Sequence, residues 1–577
     1  MDYDVRIIST LEKVLPKSGM LDARPIRKLT GFRKQRVSFQ IAYCYHGDYY
    51  LNQTKAQAFR NPYATVRVEG DFKEKVNIRK VENVPVLFPH EKQVKKYDSE
   101  YLGDEPGLYP DILAPFEGGV QMILEQWRAL WVDCEIPEDA EGGDHDITIV
   151  FAGTDGTYIT IVFAGTDGTE YVRTRLTLHV VPAVLPKQKV LHTEWFYPDC
   201  LADYYGCDVF SEEHWKIIGN FMRTAASRGV NMIFTPLFTP ALDTLIGGER
   251  TTVQLVKVYK RSDGYSFDYS LFHRWIELCK EVGFEYFEMS HLFAQWGAKF
   301  PPKVVAEVDG STEKIFGWNT PVSDGGYEEF LKAFLPTLME ELKKEGILEY
   351  TYFHISDEPT IDNADTYQKA LHMVRPYIGD VPVIDALSHV QLYEEGIVKK
   401  PVPSSEYIHD FLDQGLENAW VYYCCGQGYR VSNRFIAMPA WRTRILGVQL
   451  YKYNMEGFLH WGFNFYNSQY SLHRIDPFRV NDSEDAFPAG DPFIVYPGKD
   501  GEPIESMRLP VMADAMLDTQ LLEYLESLTS REHVLELLEG ADNVDIRFDQ
   551  YPLGPDYLLD LWEKAALEIE KCLVSLK

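Results

Sequence analysis

The chain has 577 residues, enough for two or more domains and a large core. Its 87 acidic residues outweigh 57 basic ones, and the net charge of −30 argues against nucleic acid or an anionic membrane as partner. Composition is otherwise that of an ordinary globular protein, at 45% hydrophobic and 25% charged residues, with a high 14% of aromatics.

The N-terminus, Met1-Asp2-Tyr3-Asp4-Val5-Arg6, has no basic segment ahead of an apolar run. No signal peptide is read there, and a cytoplasmic location is the expectation. No apolar run reaches the roughly 18 residues of a membrane span. The eight cysteines are scattered without paired CxxC spacing, so free thiols are expected. Cys424 and Cys425 are neighbours, and a disulfide between them would be strained.

Residues 1–185 read as all-β. Val37, Phe39, Ile41 and Tyr43 alternate with polar or small residues, the period of a half-buried strand. Thr65–Val68, Val76–Ile78, Trp127–Ile136 and Leu176–Val180 repeat the pattern, separated by Gly, Pro and Asp. Short strands so punctuated predict a β-sandwich. The segment ITIVFAGTDGT recurs unchanged at Ile147–Thr157 and Ile159–Thr169. Each copy reads as a strand and an Asp-Gly turn, so the two together predict a hairpin. Identity this complete indicates a recent duplication or an artefact, and no function is attached to it.

Beyond the linker at Val181–Pro186 the period changes. Val190–Tyr197 reads as a strand. Ser211 caps a helix carrying Trp215, Ile218, Met222 and Ala225, with Gly229 at its C-terminal end. Asn231–Phe238 is the next strand. Asp268 caps a second helix, with Leu271, Trp275 and Leu278, that stops at Gly283. Phe284–Met289 is a strand, and a helix with Phe334, Leu338 and Leu342 runs to Gly346. Tyr350–Ile355 is a strand, Asp362–Val374 a helix and Val381–Asp385 a strand. Ala419–Cys424 and Gly457–Phe465 are later strands, and residues from Met507 onward read as helix. Alternation over this length predicts parallel βα units and favours an α/β fold with a (β/α)8 TIM barrel over residues 186–577, ending in a helical extension. No GxGxxG follows a strand, which disfavours a dinucleotide fold.

Strand C-termini of such a barrel share one rim, where catalytic residues collect. The strand at Tyr350 ends in Asp357-Glu358-Pro359. His291 and Trp296 follow the strand before it, and Asp385 ends the strand after it. Tyr422 lies on the strand at Ala419, and Trp461 and Asn464 on the strand at Gly457. Carboxylates, Trp, Tyr, His and Asn converging on a rim is the chemistry of sugar recognition, in which ring faces stack on aromatics and hydroxyls meet planar polar groups. Taken singly, each of these aromatics and histidines is more often an ordinary core residue than a functional one. His192, Glu288 and His291 are the nearest approach to a metal set, without a paired-His helix motif. Neither metal nor cofactor is expected.

Adjacent acids have a specific consequence. The usual glycosidase pair flanks the sugar from two strands, at ~5 Å for retention and ~6.5–9.5 Å for inversion. Neighbours on one strand end cannot easily do this. They suit a substrate-assisted route, in which one acid protonates the leaving oxygen and the other holds a 2-acetamido group whose carbonyl oxygen attacks C1. Whichever acid gives the proton must hold it near pH 6, which burial and the charge of its neighbour would help it do.

HISDEP (His354–Pro359), GFLHWGFNFYN (Gly457–Asn467) and GDPFIVYPG (Gly490–Gly498), followed by Ile504-Glu505-Ser506-Met507-Arg508, resemble the catalytic region of glycoside hydrolase family 123. The resemblance runs from about Val190 to Glu526. It implies a β-sandwich followed by a (β/α)8 barrel, and a retaining β-N-acetylgalactosaminidase. It also implies that Asp357 orients the acetamido group and stabilises an oxazolinium intermediate, and that Glu358 is the general acid/base. Trp461 is expected as an apolar wall of the sugar site and Tyr422 near the acetamido group. A barrel glycosidase for another amino sugar or glycoside, and an inactive glycan-binding protein, stay open as alternatives. In an ordinary two-carboxylate enzyme, Glu288 and Asp385 would be the first partner acids to test. The partner is a glycan or glycoconjugate, and the oligomeric state is left open.

Overall fold

The computed structural model describes residues 3–17, 19–47, 50–51, 59–60, 63–90, 98–153, 170–295, 297–540 and 545–575. The fold is mixed α/β. Its first part holds two five-stranded sheets. One runs Tyr3–Ile8, Arg36–Tyr45, Arg128–Glu135, Val76–Val86, Gly107–Pro115, all antiparallel. The other runs Lys28–Arg33, Glu170–Val184, Gly143–Gly153, Tyr63–Gly70, Gly119–Gln121, with one parallel pair between its first two strands. The alternating residues Phe39, Ile41 and Val132 of the first sheet share a buried core with Ile149, Phe151 and Leu178 of the second. Removing these apolar faces from water is what holds the layers together.

The first copy of the duplicated segment lies mainly on the Gly143–Gly153 strand. Glu170–Val184 occupies one edge of that strand, with Ile147 opposite Leu176, and Tyr63–Gly70 occupies the other. Both hydrogen-bonding edges of the strand are thereby taken over Ile147–Ala152. The second copy, 159–169, lies outside the described residues.

Helices and parallel strands follow. Glu212–Ala226 starts where the Ser211 hydroxyl accepts the His214 backbone N–H, and it buries Trp215, Ile218 and Met222. It ends at Ser227; Gly229 lies two residues beyond, in the left-handed region. Ser270–Val282 starts where the Asp268 carboxylate accepts the Ser270 N–H, and it stops at left-handed Gly283. Gly326–Lys344 buries Phe334, Leu338 and Leu342 and runs through Pro336.

Eight short parallel strands lie at the centre. Six form one sheet in the order Thr351–Phe353, Tyr286–Met289, Met232–Thr235, Leu191–Glu194, Gly457–His460, Trp420–Tyr422. Asp385–Leu387 and Pro401–Pro403 pair in parallel beside it. Single bridges join Phe353 to Val383 and Ser404 to Tyr422, so the succession of pairings returns to its starting strand. Each strand is only three or four residues long, shorter than the alternation of apolar residues had indicated. Asp385 opens its strand instead of closing it. Pro401–Pro403 was not anticipated, since proline is disfavoured within a sheet. Segments after the second and third parallel strands add a four-stranded sheet from Lys257–Arg261, Gly264–Asp268, Val304–Val308 and Ser311–Phe316.

At the C-terminal end, Arg508–Leu528 packs on Ala440–Lys452 so closely that a Cβ on Gly447 would sit 2.0 Å from the Ala515 carbonyl oxygen. Asp556–Ser575 closes the same core through Leu561 and Trp562, and Trp562 Nε1 donates to the Thr30 carbonyl. Buried Arg508 donates to both Asp111 oxygens and to the carbonyls of Gly490 and Phe493, tying the first part of the chain to the last. Among the described residues no helix is long and apolar enough to cross a membrane.

Candidate active site

The segment after Thr351–Phe353 runs buried through His354, Ile355 and Ser356, then turns. Asp357 is half-buried. Glu358 is exposed and sits at φ +45°, a left-handed conformation costly for a residue with a Cβ and common at functional sites. Pro359 follows and ends any return to a strand. The turn leaves two adjacent carboxylates in different surroundings.

Tyr422, Trp461, Asp243 and Gln295 line the same cavity as this pair, together with Cys424 and Cys425. The Tyr422 hydroxyl donates to Glu358 Oε1 at 2.8 Å. Half-buried Trp461 lies just past the Gly457–His460 strand, packed edge-on against Phe465 and Phe487. Its indole N–H donates to Asp491 Oδ2 at 2.8 Å, which fixes the ring plane. Burial pushes Asp491 up to about 7, against the pull of Trp461, Arg434 and Arg508. Asn464 is buried behind this segment, where its side chain bonds both the N–H and the carbonyl of Tyr197. The Tyr197 hydroxyl in turn donates to the Trp461 carbonyl. Asn464 therefore supports the Trp461 segment and does not line the cavity. Trp296 lies outside the described residues.

Beneath Asp357 is a buried charge cluster. His354 Nε2 faces Glu288 Oε1 at 2.5 Å and its Nδ1 faces Asp385 Oδ1 at 3.1 Å. With a carboxylate at each nitrogen, both nitrogens act as donors and the ring is an imidazolium. Burial opposes that charge, but Glu288 and Asp385 lift His354 to about 10. Glu288 also accepts from the Thr193 hydroxyl at 2.5 Å and the Trp195 indole at 2.7 Å. Asp385 also accepts from the Ile355 N–H and the Tyr367 hydroxyl. His291 stacks on His354 with ring centroids 4.3 Å apart, and neither of its nitrogens has a partner among the described residues. Burial, and then the His354 charge, hold His291 well below its usual pKa, so it is neutral. The sequence-predicted residues thus divide. Asp357, Glu358, Tyr422 and Trp461 share the cavity, while His291 and Asp385 lie in the layer below.

Desolvation falls on Asp357. Burial, and then the Glu358 charge, raise its pKa well above the usual carboxylate range, and the His354 charge opposes them. His291, His354 and Asp385 each bring one donor atom within 4.8 Å of the others. Both His354 nitrogens carry protons directed at carboxylates, however, so the ring has no lone pair to offer a cation. The cluster is a fixed array of charges under Asp357.

Asp243 was missed from the sequence, as was the clamp on His354. Asp243 sits on the loop eight residues beyond the Met232–Thr235 strand. The rim rule pointed at that loop, but no motif marks it.

The sequence matches the family model for the glycoside hydrolase 123 catalytic domain over residues 195–525. Among solved structures, a family 123 glycoside hydrolase from Clostridium perfringens, studied for the details of glycolipid glycan hydrolysis, superposes with a TM-score of 0.67 at 15% identity. The match covers 100% of this chain and 98% of that one. This likeness bears on the fold. A bacterial Ig-like domain containing GH10 xylanase from termite gut matches at a TM-score of 0.28 and 9% identity, over 86% of this chain and 100% of that one. No curated protein matches the sequence.

Proposed function

We propose, starting from the fact that the chain belongs to glycoside hydrolase family 123, that this glycosidase releases terminal β-linked N-acetylgalactosamine by a retaining, substrate-assisted mechanism. The observation that carries the reading is the adjacent Asp357–Glu358 pair on one cavity wall, together with the engagement of Glu288 and Asp385 on His354. Those two acids would be the partners of an ordinary two-carboxylate mechanism, and their oxygens are committed elsewhere.

In the proposed reaction the acetamido carbonyl oxygen attacks C1 as the glycosidic bond breaks. Glu358, steadied by the Tyr422 hydroxyl, gives its proton to the leaving oxygen. Asp357 accepts the amide N–H and faces the cyclic cation as its charge grows, an interaction made chiefly in the transition state. Glu358 then takes a proton from water, which opens the oxazolinium at C1 and restores the original configuration. Trp461 offers an apolar face to the sugar ring. The cyclic succession of eight parallel strands supports reading residues 186–577 as a (β/α)8 barrel with a helical extension, and the shared core of the two N-terminal sheets supports a β-sandwich over 1–185.

The test is a panel of aryl β-glycosides with the purified protein, with proton NMR of the first-formed anomer. Turnover of the β-GalNAc glycoside with β-GalNAc as first product, and inhibition by the GalNAc thiazoline, are expected. Comparable turnover of the β-galactoside, which lacks the acetamido group, would refute the mechanism.

A further inference from the structure

Asp243 is a third carboxylate on the cavity wall, and the reaction above leaves it unused. Its backbone is held at φ +39° by two bonds from a neighbouring loop. The Tyr470 N–H donates to Asp243 Oδ2 at 3.0 Å, and the Ser471 hydroxyl donates to the Asp243 carbonyl at 2.7 Å. The Leu245 N–H donates to the Tyr470 carbonyl at 3.0 Å, stitching the same two loops together. The carboxylate is therefore fixed in place, while Oδ1 accepts no hydrogen bond among the described residues.

Gln295 stands beside it. Its Oε1 accepts the Asp243 backbone N–H at 2.7 Å, which determines which end of the amide is oxygen. The Nε2 end is buried, at 6% exposure of the residue, and has no partner among the described residues. A buried N–H left unpaired costs about 1–3 kcal/mol and calls for an explanation. An anchored acceptor and an unpartnered donor thus lie side by side on one wall. A hydroxyl, which donates one hydrogen bond and accepts others, matches that pair.

We infer that Asp243 and Gln295 form a hydroxyl-recognition subsite for the edge of the sugar remote from C1 and C2, and that they set which hydroxyls the enzyme demands. The inference rests on the proposed function, in which Glu358 serves the C1 oxygen and Asp357 the C2 acetamido group. The groups left for Asp243 and Gln295 are then the hydroxyls on C3, C4 and C6. A substrate lacking the bound hydroxyl would strand the Asp243 charge and the Gln295 N–H, and sites of this kind reject such analogues by up to roughly 10⁴–10⁵.

The experiment compares kcat/KM for an aryl β-GalNAc glycoside and its 3-, 4- and 6-deoxy analogues in wild type, Asp243→Asn, Asp243→Ala and Gln295→Ala. Asp243→Asn keeps an oxygen for the Tyr470 N–H, and circular dichroism checks that the fold is retained. At least one deoxy analogue is expected to fall 100-fold or more in wild type, and the variants should shrink that ratio below tenfold. Turnover of the parent glycoside with a flat deoxy series overturns the subsite alone. So does an equal loss on all four substrates in the variants, or covalent labelling of Asp243 by a 2-fluoro sugar. A wild type that leaves the parent glycoside intact overturns the functional reading, and the subsite with it.

Discussion

Replacing Asp357 with Asn isolates the part played by its charge. The amide keeps the shape and an oxygen that accepts the substrate N–H, so ground-state binding should survive. What disappears is a negative charge facing a cation that exists only near the transition state. For unit charges ~4 Å apart, an effective dielectric of about 20 gives about 4 kcal/mol. That figure is an upper one here, because Asp357 is half-buried and its usual charge is already disfavoured by burial and by Glu358. Loss of one group that stabilises developing charge typically costs about 10²–10³ in kcat. Steady-state kinetics on an aryl β-GalNAc glycoside should therefore show kcat down by about 10²–10³ with KM changed less than about threefold. The raised pKa adds a second signature. In the free enzyme Asp357 holds its proton to higher pH than an ordinary carboxylate, so the acceptor is lost as pH falls, and kcat/KM should have an acid limb that the Asn variant lacks. A loss under tenfold, or an unchanged acid limb, would show that Asp357 is not the group that meets the cation.

Glu358→Gln should lose far more activity on glycosides with poor leaving groups than on nitrophenyl ones; equal and small losses on both would remove it as general acid. The same variant takes away a charge that raises Asp357, so its acid limb should move to lower pH, and a shift upward would contradict the coupling. Trp461→Ala should lower kcat/KM by about 10–100-fold, in line with about 1–3 kcal/mol for an apolar contact, with circular dichroism showing the fold retained; an intact kcat/KM would place the sugar elsewhere. Arg508→Ala strands buried Asp111 and should destabilise the protein by about 3–5 kcal/mol, read as a lower denaturation midpoint; Arg508→Met together with Asp111→Leu should recover much of it.

Elements set by near neighbours were legible in the sequence. The Ser211 cap, the Gly283 stop and the inward set Val37, Phe39, Ile41, Tyr43 each depend on contacts within a turn or on alternation along one strand. The adjacent acids after the Tyr350 segment were legible for the same reason, since two consecutive residues past a strand must share its end. Strand lengths were not. The parallel strands shrink to three or four residues because the partners that pair with them come from distant parts of the chain.

The amino-acid order by itself determined the α/β alternation, the family-defining motifs and the presence of two neighbouring carboxylates at one strand end. Tertiary structure decided what those carboxylates experience. Glu288 and Asp385 reach His354 from 66 and 31 residues away, and the imidazolium between them acts on Asp357 through space. The turn at Glu358 exposes one acid and leaves the other half-buried and partly desolvated, opposite to the assignment that burial of Glu358 would have required. Asp243 is held on the wall by the Tyr470 loop and by Gln295. Electrostatic energies depend on distance and desolvation, and neither quantity exists until residues far apart in the chain are packed together.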